Sequence, residues 1–395
     1  MGKSAWRGQY VRTVLVVEDR LSAHSGTSKM TLEIANGFKE AGYEVETHFF
    51  AIGADSRFLE EKSAERTAPR LWQQVTSAIS QCCQIPLFAT VWSGGFNRSD
   101  AVDFIGMVLD SRFYAKMRRA DLTVFMNYWA AFPLLFANRE GVGRTIVYFQ
   151  EAPSFRELPW PLGPLVRFVV REILKRCDVV ISPTSEIQAA AVRNMNVESS
   201  VLMYAFRSLP VTERKGNFVL LDTRWTEERE PEFALRIAEE MLDTRFVMAG
   251  YFPSRHKRAD LIEAVRANGL EHRIRVQEAL PEADLQSLYA SATCYVRWSA
   301  IHGEAGCSYG LIESIGSLCP PIIDSRLGSA SFLRELGLGE LVVDRDPKSF
   351  ARAIRRLFQD AEFYSAIVNR IDTVRNDYTW VKYCTELVKL VEGTK

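Results

Sequence analysis

Short β-branched runs alternate with longer amphipathic stretches along this chain, and that alternation restricts the fold more than any other feature. A strand, a helix and a second strand of this kind close as a parallel unit, with the helices covering the sheet. Residues 11–18 (VRTVLVVE) form a near-continuous apolar run, as a strand buried on both faces requires. After a loop at 24–28, Met30, Leu32, Ile34, Ala35 and Phe38 stand near helical spacing up to Ala41-Gly42, and 44–50 supplies a second strand. Further strands are predicted at 122–126, 145–149 and 178–182, with a helix over 164–176. The chain turns polar at 213–216 and a second series begins. Its strands are predicted at 218–221, 244–249, 274–277, 293–297 and 321–324, and its helices at 232–242, 284–291, 309–317 and 347–359. Two successive βα series predict an α/β chain of two Rossmann-like parallel-sheet domains facing a cleft. Residues 52–112 have weak periodicity. A connection of that length is either functional or an insertion without chemistry, and the sequence leaves both open.

The length of 395 residues suits two domains, and 47% hydrophobic with 25% charged residues suits a globular chain with real cores. Lysine plus arginine and aspartate plus glutamate both number 49, so no basic excess points to a nucleic-acid partner. Seven cysteines without C-x-x-C spacing read as reduced thiols, and five scattered histidines without H-x-x-x-H give no zinc signature. No apolar leader precedes the first strand, and the uncharged windows 71–97 and 122–138 are respectively too polar and too short to span a bilayer. The expectation is a cytoplasmic chain. Leu165, Phe168, Val169, Ile173 and Leu174 run beside Arg167, Arg171, Lys175 and Arg176 in 164–176, a face that suits either a Rossmann helix or anionic lipid.

The segment 293–328 carries the clearest chemistry. A strand leads into a loop with Gly303, Gly306 and Gly310, then a helix, then a second strand opened by Pro320-Pro321. Small residues at a helix N-terminus expose backbone N–H groups, and the helix dipole adds to their pull on an anion such as a phosphate. Glu304 and Glu313 bracket that position, each able to accept hydrogen bonds from sugar or ribose hydroxyls. Two solvated glutamates on an ordinary strand–loop–helix fit the same spacing.

Tyr309-Gly310-Leu311-Ile312-Glu313-Ser314, followed by Pro320-Pro321-Ile322-Ile323, resembles the nucleotide-sugar segment of retaining GT-B glycosyltransferases of family 4. That family carries E-x7-E there; here 313 − 304 = 9, one more than the family's eight, and Ala305 holds the eight-spaced position. The run 217–225 (NFVLLDTRW) with Glu228-Arg229 resembles the family's "vGRlvpeKG", placing Arg224 at the arginine and Arg229 at the lysine. Met248-Ala249-Gly250, the TCYVRWS of 293–299, Gly328-Ser329 and Thr379-Trp380 resemble later landmarks. In the first half, Ser25-Gly26-Thr27 and Ala41-Gly42-Tyr43 resemble the glycine loop and helix of the family, while Gln150 stands where relatives carry histidine, before Glu151.

The resemblance implies a GT-B fold with domains at 1–210 and 211–376 and a final helix, 377–395, crossing back to the first. It implies transfer of a sugar from a UDP- or GDP-linked donor to a saccharide or lipid-linked acceptor, with retention and no metal or other cofactor. Arg224, Arg229 and Glu304 become the catalytic set. Gly26, Gly250, Ser308, Tyr309, Gly310 and Glu313 become donor-binding, and Thr27, Gln150 and Glu151 acceptor-side. Peripheral membrane contact through 164–176 is compatible with such an acceptor. The alternatives are a non-catalytic partner that keeps the fold and its nucleotide site, or an epimerase or phosphorylase on the same fold.

Overall fold

A computed structural model describes residues 11–21, 26–52, 106–150, 162–212, 215–225, 229–252, 255–278, 280–300 and 308–393. The chain divides into two compact units, one of residues 1–202 with 380–395 and one of residues 203–379.

The first unit is built on a parallel sheet of β1 (Thr13–Leu21), β2 (Glu44–Ile52), β3 (Leu122–Phe125), β4 (Arg144–Tyr148), β5 (Val179–Ser182) and β6 (Ser200–Val201), in the order β2-β1-β3-β4-β5-β6. Residues 14–17 of β1 are all buried, because strands pair on both edges and helices cover both faces. α1 (Gly26–Glu40) follows β1, and α2 (Ser111–Arg119), α3 (Leu162–Arg176) and α4 (Ser185–Met195) are further helices of this region. α4 begins where Thr184 caps the Ile187 N–H and ends where Asn196 takes a left-handed conformation, φ 53°.

The second unit carries β7 (Phe218–Asp222), β8 (Arg245–Ala249), β9 (Ile274–Val276), β10 (Cys294–Arg297), β11 (Pro321–Asp324) and β12 (Val342–Val343). Their order is β12-β11-β10-β7-β8-β9, again all parallel. The chain steps outward from β7 through β8 to β9, then returns to β10 on the other side of β7. This is the doubly wound Rossmann order. Its helices are α5 (Glu232–Glu239), α6 (Arg255–Ala267), α7 (Glu282–Ser291), α8 (Tyr309–Gly316), α9 (Gly328–Glu335), α10 (Pro347–Gln359) and α11 (Ala361–Asp377).

The division falls at 202/203 rather than at 210/211. Phe206 donates its N–H to the Tyr378 carbonyl at 2.7 Å and Leu209 to the Gly316 carbonyl at 3.0 Å, so the segment after β6 already belongs to the second unit. α12 (Trp380–Gly393) belongs to the first unit, and it starts at Trp380 rather than at 377. Cys384 Sγ lies 3.4 Å from the Ile34 carbonyl of α1, and the Tyr383 ring stacks on Tyr148 of β4 at 6.5 Å. Leu387 and Val391 complete that buried face. Gly328 and Ser329 open α9. Among the described residues, no helix is long and apolar enough to cross a membrane.

Candidate functional site

In an open α/β sheet, the carboxyl ends of two strands splay apart where the strand order reverses, and ligands bind in that crevice. In the second unit this point lies between β7 and β10. Both strand ends are rich in polar groups. Tyr289 Oη of α7 donates to Asp222 Oδ2 at 2.9 Å and Tyr295 Oη of β10 to the Asp222 carbonyl at 3.3 Å. Arg297 Nη1 donates to Thr223 Oγ1 at 3.2 Å, tying the end of β10 to the end of β7. Both tyrosines are fully buried, and burial first, then the Asp222 charge for Tyr289, pushes its hydroxyl well above the ordinary range. It stays a neutral donor at any working pH.

α8 starts against this pair. A Cβ at Gly310 would lie 2.7 Å from Tyr295 Oη and 2.8 Å from Tyr289 Oη, so only glycine lets the first turn of α8 approach so closely. Ser308 caps the helix, its Oγ accepting the Leu311 N–H at 3.2 Å. The N–H groups of Tyr309 and Gly310 precede the first i→i−4 bond, leaving this end partially positive. Glu313 lies within α8 and is 5% exposed, close enough for its charge to act on Tyr289. The structure therefore brings Ser308, Tyr309, Gly310 and Glu313 together beside the ends of β7 and β10.

Gly250, just past β8, has φ 124°, and a Cβ there would lie 2.0 Å from the Thr223 carbonyl oxygen. That approach lets Trp225 bind across it. Its backbone N–H donates to the Tyr251 carbonyl and its indole Nε1 to the Ala249 carbonyl, each at 2.8 Å. Arg224 is exposed, its guanidinium 5.8 Å from the Tyr251 ring centre on the β8 side. Arg229 is half-buried on the β10 side, where Trp298 Nε1 donates to its carbonyl at 2.7 Å. The Arg224 guanidinium thus lies toward β8, and the Arg229 backbone toward β10.

The first unit has its own reversal, between β1 and β3, and an unusual carboxyl group stands there. Glu18, 2% exposed, accepts from Ser28 Oγ at Oε1 and from Thr31 Oγ1 at Oε2, each at 2.9 Å. Burial, and then the neighbouring Asp19 charge, raises its pKa from 4.5 to about 8. Asp19 Oδ1 accepts from Asn127 Nδ2 at 2.7 Å. Gln150, past β4, donates its side-chain amide to the Met126 carbonyl at 2.8 Å. Gly26 and Thr27 form the first turn of α1. Gln150 and Thr27 thus stand in the first unit with Glu18, while Glu151, Glu304 and its neighbour His302 lie outside the described residues. Tyr295 and Trp298 stand within the 293–299 landmark, but the motifs gave no site role to them, to Tyr289 or to Glu18. An acidic pair directly after an apolar strand, Glu18-Asp19, is the one signal that would have found the last of these. Among the described residues, no three His, Cys, Asp or Glu side chains gather as a metal would need.

Residues 217–360 match the family described as "Glycosyl transferases group 1". That match spans most of the second unit. The whole chain shares its fold with a sucrose-phosphate synthase from Thermosynechococcus elongatus at 13% identity and TM-score 0.67, covering 96% of this chain and 98% of that one. It is similar at TM-score 0.67 and 12% identity to Anabaena HepE solved with UDP and glucose, covering 97% and 100% of the two chains. An α,α-trehalose-phosphate synthase (UDP-forming) from Burkholderia xenovorans superposes at TM-score 0.64 and 13% identity, covering 97% and 100%. No curated protein matches the sequence. The fold is GT-B, two Rossmann-like domains, and the group 1 match supports glycosyltransferase activity. The elements around Gly250, Ser308 and Glu313 all fall inside the matched residues.

Proposed function

We propose that the protein transfers a sugar from a UDP- or GDP-linked donor to a saccharide or lipid-linked acceptor, with retention at the anomeric carbon and without a metal ion. The observation that carries this reading is the seating of the α8 N-terminus, through Gly310, against the ends of β7 and β10. A diphosphate placed there meets the backbone N–H groups of the first turn of α8, and the reading assigns Arg224 and Arg229 to the same phosphates. Forked guanidinium donors match phosphate oxygens, and they neutralise the charge that grows on the leaving diphosphate as the sugar departs. That preorganised positive charge takes the part a magnesium ion would otherwise play. Glu313 is assigned to the ribose and Glu304 to the sugar hydroxyls. The Anabaena neighbour was solved with UDP and with UDP-glucose, which supports a uridine donor.

Gln150 favours a second reading. Its amide cannot exchange a proton near neutral pH, and it is already engaged with the Met126 carbonyl, which suits a GT-B partner subunit that binds nucleotide without turnover. Slow hydrolysis of a nucleotide sugar by the purified protein separates the two, since only the enzyme releases free sugar. For a lipid-linked acceptor, α3 offers a docking face: Leu165 and Phe168 are 57% and 52% exposed beside exposed Arg167 and Lys175.

The deciding experiment is titration of UDP and GDP onto the wild type and the Arg224→Ala and Glu313→Gln variants. Loss of a charge-assisted phosphate contact weakens binding about 10- to 100-fold. Unchanged affinity in both variants rejects the assignment.

A further inference from the structure

The residue after β10 does something that the position of the donor site alone does not require. Trp298 is buried, yet its indole N–H points along the sheet edge to the loop that follows β7. Nε1 donates to the Arg229 carbonyl at 2.7 Å and lies 3.2 Å from the Glu230 carbonyl. Glu230 itself has φ 41°, a left-handed conformation that costs a non-glycine residue energy and persists only when its surroundings hold it.

Those surroundings are charged and specific. Arg236 and Arg345 both pair with the Glu230 carboxylate, one on each oxygen. Both guanidiniums also lie over the Phe233 ring, at 4.9 and 5.1 Å from its centre, and Phe233 packs on Trp298 at 5.1 Å. Arg345 Nε is 3.8 Å from Asp324, which is fully buried at the end of β11. Arg326 grips the same carboxylate through Nε and Nη2 and donates Nη2 to the Ser299 carbonyl at 2.7 Å. The backbone on either side of the gap between β7 and β10 is therefore bound into one network: Arg229 and Glu230 on one bank, Trp298 and Ser299 on the other.

We propose that Trp298 and the Arg345–Glu230 pair are positioning residues for Arg229, holding its backbone so that its guanidinium is delivered to the donor diphosphate before the nucleotide arrives. This inference rests on the reading of Arg229 as a diphosphate ligand. A long side chain loses conformational freedom when it binds a phosphate, and anchoring its main chain beforehand removes part of that cost. Arg224 has no comparable anchor among its described contacts beyond the Tyr251 ring and the backbone of Trp225. The two cations therefore play unequal parts, one with its backbone fixed on the β10 side and one exposed on the β8 side.

The test is a double-mutant cycle read by UDP and GDP titration on the full chain. Trp298→Phe keeps an aromatic side chain, a phenyl in place of the larger indole, and deletes the N–H donor. Loss of one hydrogen bond of this kind corresponds to about a 5- to 10-fold weaker affinity. Arg229→Ala should weaken binding by at least as much, and adding Trp298→Phe to Arg229→Ala should cost nothing further, because the clamp then has nothing to position. Glu230→Gly is the companion variant. Glycine accepts φ 41° without strain, so thermal stability should hold while affinity falls. Losses from Trp298→Phe and Arg229→Ala that multiply in the double variant mean Trp298 acts on the fold at large, and overturn the proposal. So do unchanged affinities for Trp298→Phe and Glu230→Gly while Arg229→Ala binds weakly. Unchanged affinity for Arg229→Ala alone removes the diphosphate role of Arg229 and the clamp with it.

Discussion

Glu18→Gln separates a carboxyl group's charge from its shape at a site where the folded protein penalises the charge. The glutamine keeps the length of the side chain and still offers an oxygen acceptor and an N–H donor toward Ser28 Oγ and Thr31 Oγ1. Thr31 Oγ1 also lies 2.9 Å from the Thr27 carbonyl, so a donor on Glu18 leaves the hydroxyl proton for that carbonyl. With a folded-state pKa of about 8 against the ordinary 4.5, the folded chain retains a proton that the unfolded chain has lost throughout that interval. The sign follows directly. The contribution of Glu18 to stability is fullest below pH 4.5, falls as pH rises, and levels off above pH 8. At about 1.4 kcal/mol for each pH unit, the interval from 4.5 to about 8 corresponds to a loss on the order of 5 kcal/mol. Glutamine has no such dependence. The variant should match the wild type within about 1 kcal/mol at pH 5 and exceed it by several kcal/mol at pH 9. A thermal midpoint moves about 2–4 °C per kcal/mol in a unit of this size, so the two melting profiles should diverge by on the order of 10 °C across that range. Profiles that run parallel from pH 5 to 9 would refute the argument, since no proton would then be bound at Glu18 in the folded state.

Gly310→Ala places a methyl group 2.7 Å from Tyr295 Oη and 2.8 Å from Tyr289 Oη. It should destabilise the second unit by about 1–3 kcal/mol and weaken nucleotide binding, measured by melting and titration together. Leu387→Ala empties a fully buried position between α12 and the first unit, and urea denaturation should show a loss of about 2–5 kcal/mol. Tyr289→Phe removes the hydroxyl bound to Asp222 Oδ2 and should cost about 1–3 kcal/mol, read by urea denaturation. Glycosyl transfer in excess chelator should proceed at an undiminished rate; complete loss that magnesium or manganese restores would contradict the metal-free reading.

The sheets were legible because their strands are short, continuous and apolar. The strand at 321–324 and the helix at 347–359 stand at the bounds their sequence suggests. Helices with diluted signals were not. α6 spreads the buried Leu261 and Val265 among charged neighbours, and half of the buried positions of α4 are alanines, Ala190 and Ala191, so neither gives strong periodicity. α11 is long, but its buried positions are confined to Ile367, Ile371 and Val374. The same distinction runs through the site. Ser308, Gly310 and Glu313 are neighbours in the chain and carry a local pattern of cap, small residue and helix. Glu18 with Thr31, Trp298 with Arg229, and Tyr289 with Asp222 depend on pairings across loops and strands, and spacing along the sequence does not encode a hydrogen bond between residues that are 69 apart.

Because α12 covers the part of α1 and β4 that Ile34 and Tyr148 present, residues 380–393, synthesised after the whole of the second unit, are needed before the first unit is complete. Until then that unit waits with a greasy groove uncovered, while the unit made after it already has every strand and helix it needs. Synthesis and maturation therefore run in opposite orders here, and a chain cut short at residue 379 would leave the earlier-made half unfinished.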